Sequence, residues 1–221
     1  MQTKKDEICM TENITVFKQN SIRIKAGCGN IYIDPFQLKE TPRDAAYIFI
    51  THDHYDHFSP DDIEKAAGEN TVLVVPEKME NKAKKLMGTV ARIISVNPGA
   101  AYEADGLEFE TVPMYNILKP FHPKHALWCG YILKIDGKRI YIAGDIDAIK
   151  EAKAVKCDIA LVPIGGFYTM DAKQAAELVN AMKPSVAIPV HYGELTGKPE
   201  DGDIFAASVK PPVKVEIKIR F

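Results

Sequence analysis

The chain is divided into many short apolar runs, and this pattern limits its fold more than any other feature. Runs of three to seven residues, rich in Ile, Val and Tyr, predict buried or half-buried β-strands. None of them approaches the ~20 apolar residues that a membrane-spanning helix requires. We therefore expect a protein built on β-sheet with no membrane span. The runs are residues 14–17, 22–25, 31–33, 47–50, 72–75, 93–96, 107–112, 131–135, 139–143, 159–163, 186–190 and 213–219.

Helix signals lie between some of these runs. Ser59 followed by Pro60 is a serine cap with proline in the first turn, and it predicts a helix to about Ala67 that ends at Gly68. Residues 77–86 are lysine-rich with a high helix propensity, and residues 171–182 place apolar side chains at helical spacing.

The order of these elements favours one architecture. Strands come first in runs and then alternate with helices, and no GxGxxG motif follows the first strand. Two packed sheets flanked by helices fit this order better than a Rossmann domain does. The length of 221 residues suits a single domain over residues 1–221.

Composition restricts the partners and the compartment. The formal net charge of −2 shows no basic excess, so nucleic acid is not an expected partner. The first twelve residues have no apolar core of the kind a signal peptide needs, which makes the cytoplasm the expected location. The four cysteines form no CxxC pair, and we expect buried free thiols at Cys9, Cys28, Cys129 and Cys157.

A dense group of histidines and aspartates carries the chemistry. His52, His54 and Asp56 follow the apolar run 47–50 at alternate positions. Alternate side chains of extended chain face the same way, so these groups converge where the strand ends, and His57 turns to a neighbouring direction. Imidazole and carboxylate bind zinc, manganese or iron. Three of the six histidines fall within six residues, a density that packing does not require and that predicts a metal site.

Two later runs also end in groups that bind metals. Asp145 follows the run 139–143 after Gly144, which permits close backbone approach, and His191 ends the run 186–190. Alone, each would be interpreted as a turn or loop residue. Beside the first group, both become candidate ligands.

These residues together resemble a known superfamily. The HxHxDH pattern of residues 52–57, followed by Asp145 and His191, is similar to the motif of the metallo-β-lactamase superfamily. Residues 31–35, 163–166 and 169–171 resemble its single-domain branch, which includes the ascorbate-6-phosphate lactonase-like proteins. The resemblance implies an α/β (α+β) fold, a four-layer αββα sandwich with its metals at one edge between the sheets.

The resemblance also implies a ligand set for two metal ions. One ion would be held by His52 and His54, and the second by Asp56, His57 and His191. Asp145 would be shared by both ions.

The third histidine of the first ion departs from the common pattern. In the superfamily it usually follows the strand that corresponds here to residues 107–113, but that position holds Tyr115 or Asn116. His122, between two prolines, is the first choice. His125 and a site with only two histidines are the alternatives.

The expected activity follows from this ligand set. Two divalent ions, zinc first and Mn²⁺ or Fe²⁺ otherwise, would generate a metal-bound hydroxide that cleaves an ester- or lactone-type bond in a small molecule. Asp145 would tie the ions together, and Asp56 would orient the hydroxide or shuttle a proton. Asp34 and Asp53 are candidates for fixing the rings of the ligating histidines, although Asp34 could simply shape its turn.

Other functions remain open on the same scaffold. They are a phosphodiesterase or ribonuclease, an oxidative non-haem iron enzyme, and a metal binder without catalysis. Antibiotic hydrolysis is disfavoured because no signal peptide is evident. Lys119 and Lys124 flank His122. They either attract an anionic substrate, such as a sugar phosphate, or are ordinary surface lysines.

Overall fold

The computed structural model describes residues 11–221 and is built on two β-sheets packed face to face. The first sheet has six strands in the order β1-β2-β3-β4-β5-β6, and the second has seven in the order β13-β12-β11-β10-β9-β8-β7. Their bounds are β1 Ile14–Val16, β2 Ile22–Ala26, β3 Gly29–Ile33, β4 Ala45–Phe49, β5 Ala67–Pro76, β6 Arg92–Val96, β7 Ala101–Ala104, β8 Leu107–Met114, β9 Trp128–Ile135, β10 Lys138–Ile142, β11 Ile159–Pro163, β12 Val186–Val190 and β13 Lys214–Val215.

Strand direction collects several loops at one edge of the sandwich. In the first sheet, β3 to β6 are parallel neighbours. In the second sheet, β10 to β13 are parallel, and β8 shares the direction of β10 because both are antiparallel to β9. Parallel strands end at the same edge, so the loops after β8, β10, β11 and β12 leave the second sheet together.

Helices cover both outer faces and complete four layers. Their bounds are α1 Pro60–Ala66, α2 Glu80–Ala83, α3 Lys150–Lys153, α4 Ala172–Met182 and α5 Asp201–Ser208. On the first sheet, Ile63 of α1 packs in one apolar cluster with Ile48 and Leu73. On the second, Val179 of α4 and Phe205 of α5 join the main core. The predicted αββα sandwich of the α/β class is confirmed.

Strand β4 shows why the central strands appear in the sequence as continuous apolar runs. Phe49 faces the second sheet, where its ring centroid lies 5.1 Å from that of Phe109 and 5.0 Å from that of Tyr131. Ile48 faces the helical layer instead. Both faces of the strand are buried, so hydrophobic residues occupy successive positions.

Several elements differ from their predicted bounds. Helix α1 is capped by Ser59 as predicted but ends at Ala66, because Ala67 is extended and begins β5. Residues 77–86 form three short turns, with 3₁₀ helices at Glu77–Met79 and Lys84–Leu86 on either side of α2. The short strand β7 and helix α5 were not predicted.

Three of the four cysteines lie among the described residues. Cys28, Cys129 and Cys157 are free thiols, whereas Cys9 lies outside the described residues. Cys129 is buried, but the expectation of burial is wrong for Cys28, which is exposed in the turn between β2 and β3. None of the helices within residues 11–221 has the length and apolar character that crossing a bilayer would require.

Candidate metal centre

The seven candidate ligands meet at the edge where the parallel strands end. Four of them lie in the turn after β4, and the others follow β8, β10 and β12. All are buried except His54, which is partly exposed. In chain order they are His52, His54, Asp56, His57, His122, Asp145 and His191.

The first group consists of three histidines from both sheets. The ligand atoms of His52, His54 and His122 lie within 4.8 Å of one another. His52 Nε2 is 3.0 Å from His54 Nδ1. Two nitrogens bound to the same zinc ion lie about 3.3 Å apart, because each Zn–N bond is about 2.0–2.1 Å long. The indole of Trp128 packs on this group, with its centroid 5.0 Å from that of His52.

The second group combines one carboxylate with two histidines. Asp56, His57 and His191 also place their ligand atoms within 4.8 Å of one another. His191 Nε2 lies 3.2 Å from Asp56 Oδ2 and 3.2 Å from His57 Nε2. These atoms converge on one point as the ligands of a single cation do.

Asp145 lies between the two groups. Its Oδ2 is 3.5 Å from His122 Nε2 in the first group and 3.3 Å from His191 Nε2 in the second. Its Oδ1 lies 3.6 Å from His57 Nε2. A carboxylate in this position can contact cations in both groups.

Gly144 allows the loop after β10 to place Asp145 beside the histidines of the first sheet. Gly144 has a φ of +65°, which residues other than glycine rarely adopt. A Cβ at this position would lie 2.5 Å from Met114 Sδ and 3.1 Å from Thr51 Cβ. The loop after β10 therefore passes directly beside the turn that carries the histidines of the first sheet.

Asp34 fixes the orientation of His57. Its Oδ2 accepts hydrogen bonds from His57 Nδ1 at 2.7 Å, from Thr51 Oγ1 at 2.6 Å and from Asn20 Nδ2 at 2.7 Å, and its Oδ1 accepts one from Thr51 N at 2.8 Å. A carboxylate can only accept, so His57 Nδ1 carries the proton and Nε2 is directed to the site. Asp53, the other candidate for this role, instead forms a surface ion pair with Lys82 at 3.3 Å.

Asn116 orients His122, a contact that the sequence did not predict. Asn116 Oδ1 accepts a hydrogen bond from His122 Nδ1 at 2.8 Å, and its Nδ2 donates to Tyr168 O at 3.1 Å. This bond directs His122 Nε2 to the other ligands. His125 is exposed and its backbone carbonyl accepts a bond from Lys78, so the structure places His122 and not His125 in the first group.

Burial and charge set the protonation of the histidines. Burial lowers the pKa of His52 well below its usual value and that of His122 to about 4, so both rings are neutral at pH 7. Burial also acts against protonation of His57, but the carboxylates of Asp145 and Asp34 outweigh it and raise the pKa of His57 well above its usual value.

The carboxylates of Asp56 and Asp145 are ionised, and their basic neighbours are histidines. Burial tends to raise the pKa of Asp145, but His191 and His57 outweigh it and hold that pKa well below its usual value. No lysine or arginine among residues 11–221 forms an ion pair with Asp56 or Asp145. His122 Nε2 and Asp145 Oδ1 are buried without a hydrogen-bond partner. This donor set fits divalent cations.

The two loop lysines are engaged by neighbouring acids. Lys119 Nζ binds Asp147 Oδ1 at 2.8 Å, and Lys124 Nζ lies 3.3 Å from Glu151 Oε1. Neither lysine is an unpaired cation at the site, so these contacts favour the interpretation as ordinary surface lysines.

A separate cavity of about 710 Å³ opens beside β1. Its walls include Arg23, Leu38 and Ile217, but none of the seven candidate ligands. It is therefore not the space between the two donor groups.

Known proteins resemble this chain over most of its length. Residues 13–191 match the family model described as the beta-lactamase superfamily domain. A UPF0173 metal-dependent hydrolase of Thermococcus onnurineus is 32% identical over 178 residues, which cover 75% of this chain and 78% of that relative. A candidate metal-dependent hydrolase from Parabacteroides distasonis is 30% identical with a TM-score of 0.75, covering 94% of this chain and 93% of that one. A metallo hydrolase from Ignicoccus hospitalis is 26% identical, also with a TM-score of 0.75, covering 92% and 93%.

Proposed function

Because the chain belongs to the beta-lactamase superfamily and is a metal-dependent hydrolase, we propose that it uses two divalent ions to cleave an ester- or lactone-type bond in a small molecule. One observation carries this proposal: two donor groups meet at one edge, and Asp145 forms a third group with one histidine of each, His52 and His57. Among residues 11–221, histidines alone form ion pairs with the ionised carboxylates of Asp56 and Asp145. A pair of cations would balance the charge of these two carboxylates.

The assignment of ligands follows the two groups. The first ion would be held by His52, His54 and His122, and the second by Asp56, His57 and His191, with Asp145 shared. Zinc suits this set of nitrogen and oxygen donors best, with Mn²⁺ and Fe²⁺ as alternatives. Bound ions would supply a nucleophilic water near neutral pH and a Lewis acid for the carbonyl oxygen.

Asp56 is the residue best placed to move a proton. Its Oδ2 lies 3.2 Å from His191 Nε2, and burial, which raises its pKa, is outweighed by His191 and His57, so that the pKa lies below its usual value. The ionised carboxylate can accept a proton from the attacking water and return it to the leaving alcohol. In the balanced reaction, water adds to the acyl carbon, the ester C–O bond breaks, and a carboxylic acid and an alcohol are released.

Metal analysis followed by a substrate screen tests the proposal. We expect about two equivalents of a divalent metal per chain, with turnover lost on chelation and restored by the same metal. Lactones, thioesters, simple esters and phosphodiesters would be compared at equal concentration. A single metal equivalent would contradict the dinuclear assignment, and preferential cleavage of phosphodiesters would replace the ester assignment by the phosphodiesterase.

A further inference from the structure

The loops around the metal centre expose large apolar side chains. Among residues 11–221, eleven large hydrophobic side chains are exposed, and seven of them lie in four loops at this edge, those after β4, β8, β11 and β12. Leu118 is 94% exposed, an unusual state for a leucine. We call these seven the apolar rim: Tyr55, Ile117, Leu118, Leu127, Phe167, Tyr168 and Leu195.

The rim is joined directly to the ligands. Tyr55 stands between His54 and Asp56 in the chain. The carbonyl of Tyr168 accepts a hydrogen bond from Asn116, the same residue that orients His122. The rim therefore borders the metal centre instead of lying on a remote surface.

The aromatic part of the rim is held in place. Gly166 N donates to Met170 O at 3.0 Å, and Gly165 bridges to Asp171, so Phe167 and Tyr168 lie at the tip of a closed loop. The Phe121 ring supports both, with centroids 5.5 Å from Phe167 and 4.7 Å from Tyr168. These rings lose little freedom when a ligand packs on them.

Several charged groups in the same loops are already paired. Lys119 binds Asp147 and Lys124 binds Glu151, as described above. Glu194, beside Leu195, binds Lys18 at 2.8 Å. An anionic group would compete with the acidic partners of Lys119 and Lys124, whereas an apolar group would cover side chains that water now surrounds.

We propose that the apolar rim binds the hydrophobic part of the substrate, so that the enzyme prefers esters or thioesters with extended alkyl or aryl acyl groups over phosphorylated sugars. This inference rests on the proposed ester hydrolysis and adds the substrate class. Each methylene group buried on the rim should raise kcat/KM about two- to fourfold.

A series of p-nitrophenyl esters tests the proposal, because the leaving group stays constant while the acyl chain grows. The metal-loaded protein should show a hexanoate-to-acetate ratio of kcat/KM of more than about tenfold. In Leu118→Ala and Phe167→Ala this ratio should fall by about threefold or more. Met87→Ala is the matched control, because Met87 is 59% exposed but lies outside the four loops, and it should keep the ratio of the unmodified protein.

A binding measurement separates the two levels of the proposal. Trp128 is the single tryptophan and packs on the histidines of the first group, so its fluorescence reports ligands at the site. Hexanoate should bind more tightly than acetate, and Phe167→Ala should reduce that difference.

The outcomes are distinct. Equal kcat/KM for all chain lengths would overturn the rim proposal and leave ester hydrolysis standing. No hydrolysis of any ester would overturn the proposed function, and equal binding of hexanoate and acetate would then overturn the rim as well. A change of oligomeric state in the rim variants, with no change in the ratio, would assign the rim to contact with a second copy.

Discussion

Replacing Asp34 tests whether this aspartate orients a ligand or only shapes its turn. Asp34 is completely buried at a φ of +45° and accepts hydrogen bonds from His57, Thr51 and Asn20. Asparagine tolerates a positive φ and keeps the shape of the side chain. Asp34→Asn therefore changes mainly the charge of the side chain and its contact with the N–H of Thr51.

The size of the effect follows from these four hydrogen bonds. If the carbonyl of the introduced asparagine takes the place of Oδ2, it still accepts from His57, Thr51 Oγ1 and Asn20, while its amide group faces the N–H of Thr51. One buried donor without a partner costs about 1–3 kcal/mol of unfolding free energy. Asp34→Ala leaves all four donors without this acceptor and adds about 1–2 kcal/mol for alanine at positive φ, so its loss should be at least twice as large.

The metal affinity should also fall, because a neutral carbonyl polarises the imidazole of His57 less than a carboxylate does. Loss of such a partner reduces metal affinity by about 10–100-fold. Urea unfolding of the metal-free variants measures the first effect, and competition with a chelator measures the second. Asp34→Gly is the control for backbone strain, since glycine accepts the positive φ but provides no acceptor. If Asp34→Asn binds both metal equivalents as tightly as the unmodified protein, Asp34 is only a turn residue and the reasoning is refuted.

Three further predictions concern the ligands and their support. His54→Ala and Asp145→Ala should each abolish ester turnover while circular dichroism stays unchanged, and residual turnover in either would remove that residue from the metal centre. His122→Ala should lower the metal content measured by mass spectrometry far more than His125→Ala, and the reverse order would exchange the two assignments. Gly144→Ala should lower the unfolding free energy by at least about 1–3 kcal/mol, because its Cβ would overlap Met114 Sδ at a strained φ; an unchanged urea midpoint would contradict this packing.

The sequence predicted the central strands well because they are buried on both faces. Strand β11 coincides with its predicted bounds, and all five of its residues are buried. Strand β7 was missed because two of its four residues, Ala101 and Glu103, are exposed at the end of the sheet, which leaves no apolar run to detect. Helix α5 was missed because its apolar residues are not confined to one face and no side chain caps its first turn.

The candidate site was predictable where strand ends fix the ligands. The turn after β4 and the ends of β10 and β12 carry six of the candidate residues, and the family match confirms the resemblance drawn from them. Contacts across loops were not predictable in the same way. Asn116 and His122 are six residues apart in an irregular segment, and only the folded loop shows that one orients the other. The apolar rim likewise depends on how four loops are arranged in space.

The division of the ligands between the sheets has a mechanical consequence. Each donor group takes two side chains from the turn after β4 and one from a loop of the second sheet. Any cation held there would cross-link the two sheets. Without a cation, this edge is held by protein contacts alone, such as the hydrogen bonds from Tyr131 Oη to Ile50 O at 2.7 Å and from His191 N to Gln19 O at 2.9 Å. Metal binding would therefore stabilise the packing of the two sheets as well as supply the chemistry.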